Sequence, residues 1–79
     1  MRARVFVTLK PGVLDPAGKA VAHGLHGLGF PEVQDVRLGR YVEVQLDETD
    51  PEVARAKVEE MARRLLANTV MENFRVELG

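Results

Sequence analysis

Two Asp-Pro pairs, Asp15-Pro16 and Asp50-Pro51, limit what this chain can fold into more than any other feature of it. An aspartate ahead of a helix accepts hydrogen bonds from the unpaired N–H groups of the first turn. Proline suits the first helical position, because an N–H there has no partner and its fixed φ is already helical. Each pair therefore reads as a helix start, and each follows a stretch where apolar and polar residues alternate. Val5, Val7 and Leu9 alternate with Arg4, Phe6 and Thr8, the period of a strand with one buried face. Lys10-Pro11-Gly12 ends that strand, since Pro11 cannot donate to a ladder and Gly12 tolerates a positive φ.

After the first pair, Ala17, Val21, Leu25 and Leu28 recur at helical spacing, and Gly29 is placed to end the helix in a left-handed turn. Gly18, Gly24 and Gly27 weaken this helix by up to about 1 kcal/mol each, which implies that something packs close to its backbone. Val33 to Leu38 reads as a second strand, and Gly39 as a tight turn into a third, where Val42, Val44 and Leu46 share one face. After Asp50-Pro51, Ala54, Val58, Met61 and Leu65 form the expected buried stripe, widened by Ala62 and Leu66. Arg55–Glu59, Glu59–Arg63 and Glu60–Arg64 are expected ion pairs on the wet side, and Asn68 is expected to close the helix in a left-handed conformation. The last strand, Met71 to Leu78, turns Phe74, Val76 and Leu78 inward. The order βαββαβ predicts an α+β two-layer sandwich, ferredoxin-like or similar, with a four-stranded antiparallel sheet and two helices on one face.

At 79 residues and 8.8 kDa, residues 1–79 are read as one domain with a thin core. The net charge of -1 and pI near 6.1 offer no excess positive field for a phosphate backbone. Positive charge prevails up to Arg40 and negative charge after it, which reads as two halves neutralising each other in one fold. With no cysteine, disulfides, thiolate metal sites and cysteine nucleophiles are excluded. No apolar run approaches the roughly 18 residues of a membrane span, and Met1 to Arg4 lead straight into a strand pattern, so a cytoplasmic protein without membrane contact is expected.

Candidate chemistry is sparse. His23 and His26, three apart on the first helix, lack the further ligands that a metal site needs and read as solvated. The chain has no serine, so a Ser–His–Asp triad cannot form, and no glycine-rich phosphate loop is present. Glu59 and Glu60 read as surface charges. Lys10-Pro11-Gly12 reads as a turn rather than an anion contact. What the pattern does leave is a bare sheet face carrying Arg4, Phe6, Thr8, Tyr41, Glu43, Gln45, Asn73, Arg75 and Glu77. Arg4 is expected between Glu43 and Glu77, a favourable cross-strand arrangement. A core this small gains from further burial, so Arg4, Phe6, Tyr41 and Glu43 are candidate self-association residues. RNA-recognition motifs share this strand order, but they need a basic face, and Glu43 opposes one, so nucleic acid is not expected.

Three separated motifs add a resemblance that spans nearly the whole chain. Val5-Phe6-Val7-Thr8-Leu9-Lys10-Pro11-Gly12-Val13-Leu14-Asp15-Pro16-Ala17-Gly18 resembles the opening of the PurS family, the small subunits of phosphoribosylformylglycinamidine (FGAM) synthase. Leu28-Gly29-Phe30 with Val36-Arg37-Leu38-Gly39-Arg40-Tyr41, and Leu65-Leu66-Ala67-Asn68-Thr69-Val70-Met71-Glu72-Asn73-Phe74, are similar to that family's glycine corner, hairpin and helix exit. Thr69 stands where the motif usually carries proline, and Arg40 where lysine is common. The resemblance implies a non-catalytic adaptor in a complex with a large synthetase subunit and a glutaminase subunit. That complex is an ATP-dependent, glutamine-hydrolysing amidoligase of purine biosynthesis. It converts formylglycinamide ribonucleotide, ATP and glutamine to formylglycinamidine ribonucleotide, ADP, phosphate and glutamate. ATP and magnesium would be used by the complex, with no cofactor or metal held by this chain. The resemblance also implies a homodimer or a dimer of dimers that bridges the two partners and assists ammonia transfer. The loop Lys10, Pro11, Gly12, Asp15 and the hairpin Arg37, Gly39, Arg40 are the expected partner-docking points, since loops at sheet ends carry such contacts. The competing expectation is a small ACT-like ligand-binding regulatory module, which also uses a βαββαβ order; calorimetry with an amino-acid panel separates the two.

Overall fold

The computed structural model describes residues 1–79. In chain order it contains β1 (Arg2–Leu9), α1 (Pro16–Gly27), β2 (Gly39–Gln45), α2 (Pro51–Met61), a π-helical turn (Ala62–Leu66) and β3 (Glu72–Leu78). The strands form an antiparallel sheet in the order β2-β1-β3. In this register Val5 lies opposite Val42 and Val76, and Arg4 opposite Glu43 and Glu77. The inner face is built from small residues. Ala3, Val5 and Val7 of β1 are fully buried beneath Ala54 and Val58 of α2 and Ala62 of the π turn. Each buried valine contributes on the order of 1.5–3 kcal/mol.

Both Asp-Pro pairs open helices, with Asp15 accepting from Gly18 N at 2.8 Å and Asp50 accepting from Glu52 N at 3.0 Å. Gly29 ends the α1 region in the left-handed conformation, at φ 97°. Other expectations are corrected. The sheet has three strands rather than four, because Val33 to Leu38 joins no ladder. The backbone of this segment is held by side chains instead: Leu38 N donates to Asp15 Oδ2 at 2.8 Å, and Val36 N to Asp35 Oδ1 at 2.9 Å. Gly39 makes no hairpin turn but is the first residue of β2, seated so tightly that a Cβ would lie 2.4 Å from the Val7 carbonyl oxygen.

The two helices do not share the sheet face. Only α2 packs on β1 and β3, and α1 forms no comparable interface with any strand. Its expected buried stripe is open, with Val21 41% and Leu28 76% exposed. A strand of eight residues and a helix of twelve laid end to end reach roughly 44 Å, and the long axis of the molecule measures 48 Å. The radius of gyration is 15.8 Å, against about 11–12 Å for a compact chain of this length. The α1 region is therefore an arm that leaves the end of the sheet, and residues 31–38 return along it. His26 Nε2 meets Val33 O at 2.7 Å on the way back.

The exit of α2 also departs from expectation. The π turn adds one residue to the helical ring, with Ala67 N bonded to Ala62 O, and the added rotation carries Leu65 out to 83% exposure. Met61 is likewise on the surface rather than in the stripe. No residue other than glycine has a positive φ, so Asn68 does not close the helix in a left-handed turn. Of the expected ion pairs only Glu60–Arg64 forms, at 3.4 Å. Glu60 also meets Arg63, at 3.9 Å, while Arg55 donates to the Val76 carbonyl at 3.0 Å.

A clasp fixes the arm at its root. Asp15 is 5% exposed and bonds Gly18 N with one carboxylate oxygen and Leu38 N with the other. Arg37 donates to the carbonyls of Lys10 (3.0 Å) and Val13 (2.8 Å), which binds the outgoing and returning segments side by side. Gly18 makes this approach possible, since a Cβ there would lie 2.2 Å from the Val36 carbonyl oxygen. Gly24 and Gly27 have no such neighbour. Gly18→Ala should therefore destabilise the fold by about 1–3 kcal/mol, as overpacking does, measured by chemical denaturation. The hydrogen bonds from Leu38 and Gly18 hold the Asp15 carboxyl below its ordinary pKa, with Arg37 acting in the same sense. Its contribution is complete above the unfolded value of about 3.9 and is lost as pH falls through the lower folded value. Melting temperature should drop with acid below about pH 4, and Asp15→Asn should flatten that dependence while lowering the plateau.

Candidate docking surfaces

The outer sheet face is a closed network rather than a row of free side chains. Phe6 and Tyr41 are opposite one another, with ring centroids 5.2 Å apart and planes tilted by 45°. The Arg75 guanidinium stacks over Phe6 at 4.4 Å and pairs with Glu77. Arg4 reaches Glu77 at 3.7 Å, and Arg2 reaches Glu43 at 3.7 Å. The Tyr41 hydroxyl donates to Glu43 at 3.0 Å, and its desolvation and that hydrogen bond push the phenol pKa up. Arg4, Phe6, Tyr41 and Glu43 are thus brought together on one face, as their alternation required. Their mutual satisfaction gives this face a flat, mixed aromatic and charged surface.

The residues expected to dock partners gather at one end of the sheet, where the arm departs. Pro11 and Gly12 form an exposed turn, and Lys10 N donates to Met71 O at 2.9 Å. Asp15 and Arg37 spend their polar atoms within the clasp. Gly39 lies against β1. Arg40 crosses the end of the sheet to make a bidentate pair with Glu72, at 2.9 Å on both oxygens, and donates to Leu66 O at 2.8 Å. The Arg40 guanidinium, with further help from Asn68 N, holds the Glu72 carboxyl below its usual range.

Sequence reasoning missed the apolar part of this end. Leu65 and Met71 are exposed and line a depression of about 380 Å³ together with Leu9, Arg40, Ala67, Asn68 and Glu72, and Val70 is exposed as well. The spacing of Leu65 places it on the buried stripe, and only the π turn moves it. The carboxylates do not assemble a cation site. Asp15, Glu48 and Glu72 are each engaged by their own donors, and no group of three or more His, Asp or Glu side chains converges. No helix is long and apolar enough to cross a membrane.

Known proteins share both the sequence and this geometry. The PurS subunit of FGAM synthase from Bacillus subtilis (strain 168) is 47% identical over 77 residues, covering 98% of this chain and 90% of that protein. The crystal structure of Methanocaldococcus jannaschii PurS, described as one of the subunits of formylglycinamide ribonucleotide amidotransferase, superposes with a TM-score of 0.86 at 34% identity. It covers 96% of this chain and 92% of that one. A chain in the structure of PurLQS from Thermotoga maritima superposes with a TM-score of 0.87 at 25% identity over 96% of this chain and 93% of its own. The family model described as "PurS: Phosphoribosylformylglycinamidine (FGAM) synthase" matches residues 2–79. With the sheet, both helices and the clasped arm all inside that match, this chain belongs to the PurS family.

Proposed function

We propose that this chain is the adaptor subunit of FGAM synthase, a part of the enzyme that carries no reactive group of its own. The observation that carries this reading is family membership over residues 2–79, with 47% identity to the PurS subunit from Bacillus subtilis. The likeness to a chain of the Thermotoga maritima PurLQS structure supports a place beside a synthetase and a glutaminase subunit. Those subunits supply the amide hydrolysis and the ATP and magnesium chemistry. This chain supplies shape, bridges the two and assists ammonia transfer, in the cytoplasm and as a single unit over residues 1–79. An ACT-like regulatory role has no support from the comparisons.

Its docking end is the one where Lys10, Pro11, Gly12 and Arg40 surround the exposed Leu65 and Met71. A depression lined by Leu9, Leu65, Ala67 and Met71 beside the Arg40–Glu72 pair suits a partner segment that brings an apolar side chain flanked by polar groups. Asp15, Arg37 and Gly39 serve this surface from beneath, by holding its backbone. The chain acts as a homodimer or a dimer of dimers, because an arm with an open apolar side and a core of alanines and valines both gain from a second copy. Arg4, Phe6, Tyr41 and Glu43 offer a second flat face for such contacts.

The test is reconstitution with the large synthetase and glutaminase subunits of a PurS-family organism. Glutamine-dependent amidine formation should require this chain, and the chain alone should turn over nothing. Lys10→Glu should weaken capture of the large subunit about tenfold, which corresponds to about 1.4 kcal/mol, with an unchanged circular dichroism spectrum. Full activity of the other two subunits without this chain overturns the adaptor reading, and unchanged capture removes Lys10 from the docking surface.

A further inference from the structure

One cleft carries cations without a counter-ion. Lys10, Arg63, Thr69, Glu72, Asn73 and Phe74 line a space of about 330 Å³, where the end of β1 meets the start of β3 and the turn before it. Lys10 is half-buried, yet its ammonium makes no hydrogen bond or ion pair. Arg63 meets only Glu60, through Nε at 3.9 Å, and Glu60 also engages Arg64 at 3.4 Å. Both terminal nitrogens of Arg63 are free. Glu72 is the one carboxylate of the lining, and it is occupied within the fold. Arg40 takes both of its oxygens at 2.9 Å, and Asn68 N donates to one of them at 2.7 Å. The cleft therefore holds uncompensated positive charge from Lys10 and Arg63 in a chain whose net charge is -1.

Neutral donors line the same space. Thr69 N–H has no backbone partner, although the N–H groups of Val70, Met71 and Glu72 all bond to Asn68. The Thr69 hydroxyl and the Asn73 amide are unpaired too. Lys10 N bonds Met71 O and Gly79 N bonds Arg2 O, so the odd-numbered residues of β3 are the ones paired with β1. Phe74 N–H therefore points out of the free edge of β3, beside the cleft. Thr69 stands where the family motif usually carries proline, which has neither an N–H nor a hydroxyl. Both Thr69 donors are thus additions of this chain to the motif.

We infer that this cleft binds a phosphomonoester group, carried by a ligand of mononucleotide size. A phosphomonoester presents three strong acceptor oxygens and roughly two negative charges. That suits an ammonium, a guanidinium and neutral N–H and O–H donors gathered in one place. A carboxylate has one charge and fewer acceptors, and it would leave part of this set unpaired. The volume lies at the small end of ligand sites, and half-buried Phe74 gives the body of the ligand an apolar wall. The group is held there, and no bond is made or broken. The inference goes beyond the adaptor reading and does not rest on it, because every donor belongs to one free chain.

Titration of the isotope-labelled chain, followed by amide resonances, tests the site with AMP, inorganic phosphate and adenosine as probes. AMP and inorganic phosphate should shift the Thr69 and Phe74 amide signals, with AMP the tighter, and adenosine should shift neither. Lys10→Gln, Arg63→Gln and Thr69→Pro should each weaken AMP binding about tenfold, the loss of one charge-assisted hydrogen bond. No shift of these amides at millimolar probe overturns the site, as does a shift that adenosine reproduces. AMP affinity unchanged in the folded variants overturns it equally. Inorganic phosphate binding as tightly as AMP overturns the mononucleotide body and leaves a phosphate site. The wild-type titration decides the matter by itself if a variant does not fold. None of these outcomes touches the adaptor reading, which reconstitution tests separately.

Discussion

A single carboxylate settles the shape of this molecule. Asp15 caps α1 through Gly18 and, with its other oxygen, anchors Leu38 at the far end of the return segment. One side chain thus joins residues 23 positions apart and sets the angle at which the arm meets the sheet. It is nearly inaccessible, so its charge needs the donors it has. Two amide N–H groups supply them, with the Arg37 guanidinium nearby. The alternative for a buried carboxylate without partners is a large desolvation cost. Gly18 is the steric half of the same device, since any side chain there would press on the Val36 carbonyl.

The rest of the molecule divides around that clasp. On one side, three strands and α2 enclose a core of alanines and valines, closed at the arm's end of the sheet by the Arg40–Glu72 pair and the π turn. On the other, α1 and its return segment stand clear with apolar side chains open. A chain of this length buries only about 60% of its unfolded surface even when compact, so an open arm is costly unless something covers it. An adaptor has a use for such a form. It must offer several surfaces at once, and a flat outer sheet face, an apolar end beside the Arg40–Glu72 pair and a projecting arm are three of them.

Much of this was legible in the sequence where local chemistry is decisive. Both Asp-Pro starts, the left-handed Gly29, the inward set Phe74, Val76 and Leu78, and the placement of Arg4 between two glutamates follow from caps, glycine stereochemistry and the two-residue period of a strand. The misses have two causes, an unknown neighbour and a shifted helical phase. Alternation in residues 33–38 reports that the segment is extended, but a ladder needs a neighbour, and periodicity carries no information about which chain provides it. Likewise Ala17, Val21, Leu25 and Leu28 form an apolar stripe without naming the surface it meets. Leu65 was misplaced because a π turn shifts the helical phase by a fraction of a turn, and no residue type marks that shift.

The sequence by itself determined both helices and three of the four expected strands, the buried faces of β1 and β3, the lack of nucleophilic cysteine or serine chemistry, and the family. Caps, periods and residue inventories are properties of short stretches, which is why they survive without coordinates. Only the tertiary structure decided that α1 leaves the sheet, that the fourth strand is absent within one chain, and that Asp15 and Arg37 brace the arm. Those outcomes depend on contacts between residues more than twenty positions apart, whose geometry is set by the whole chain closing on itself.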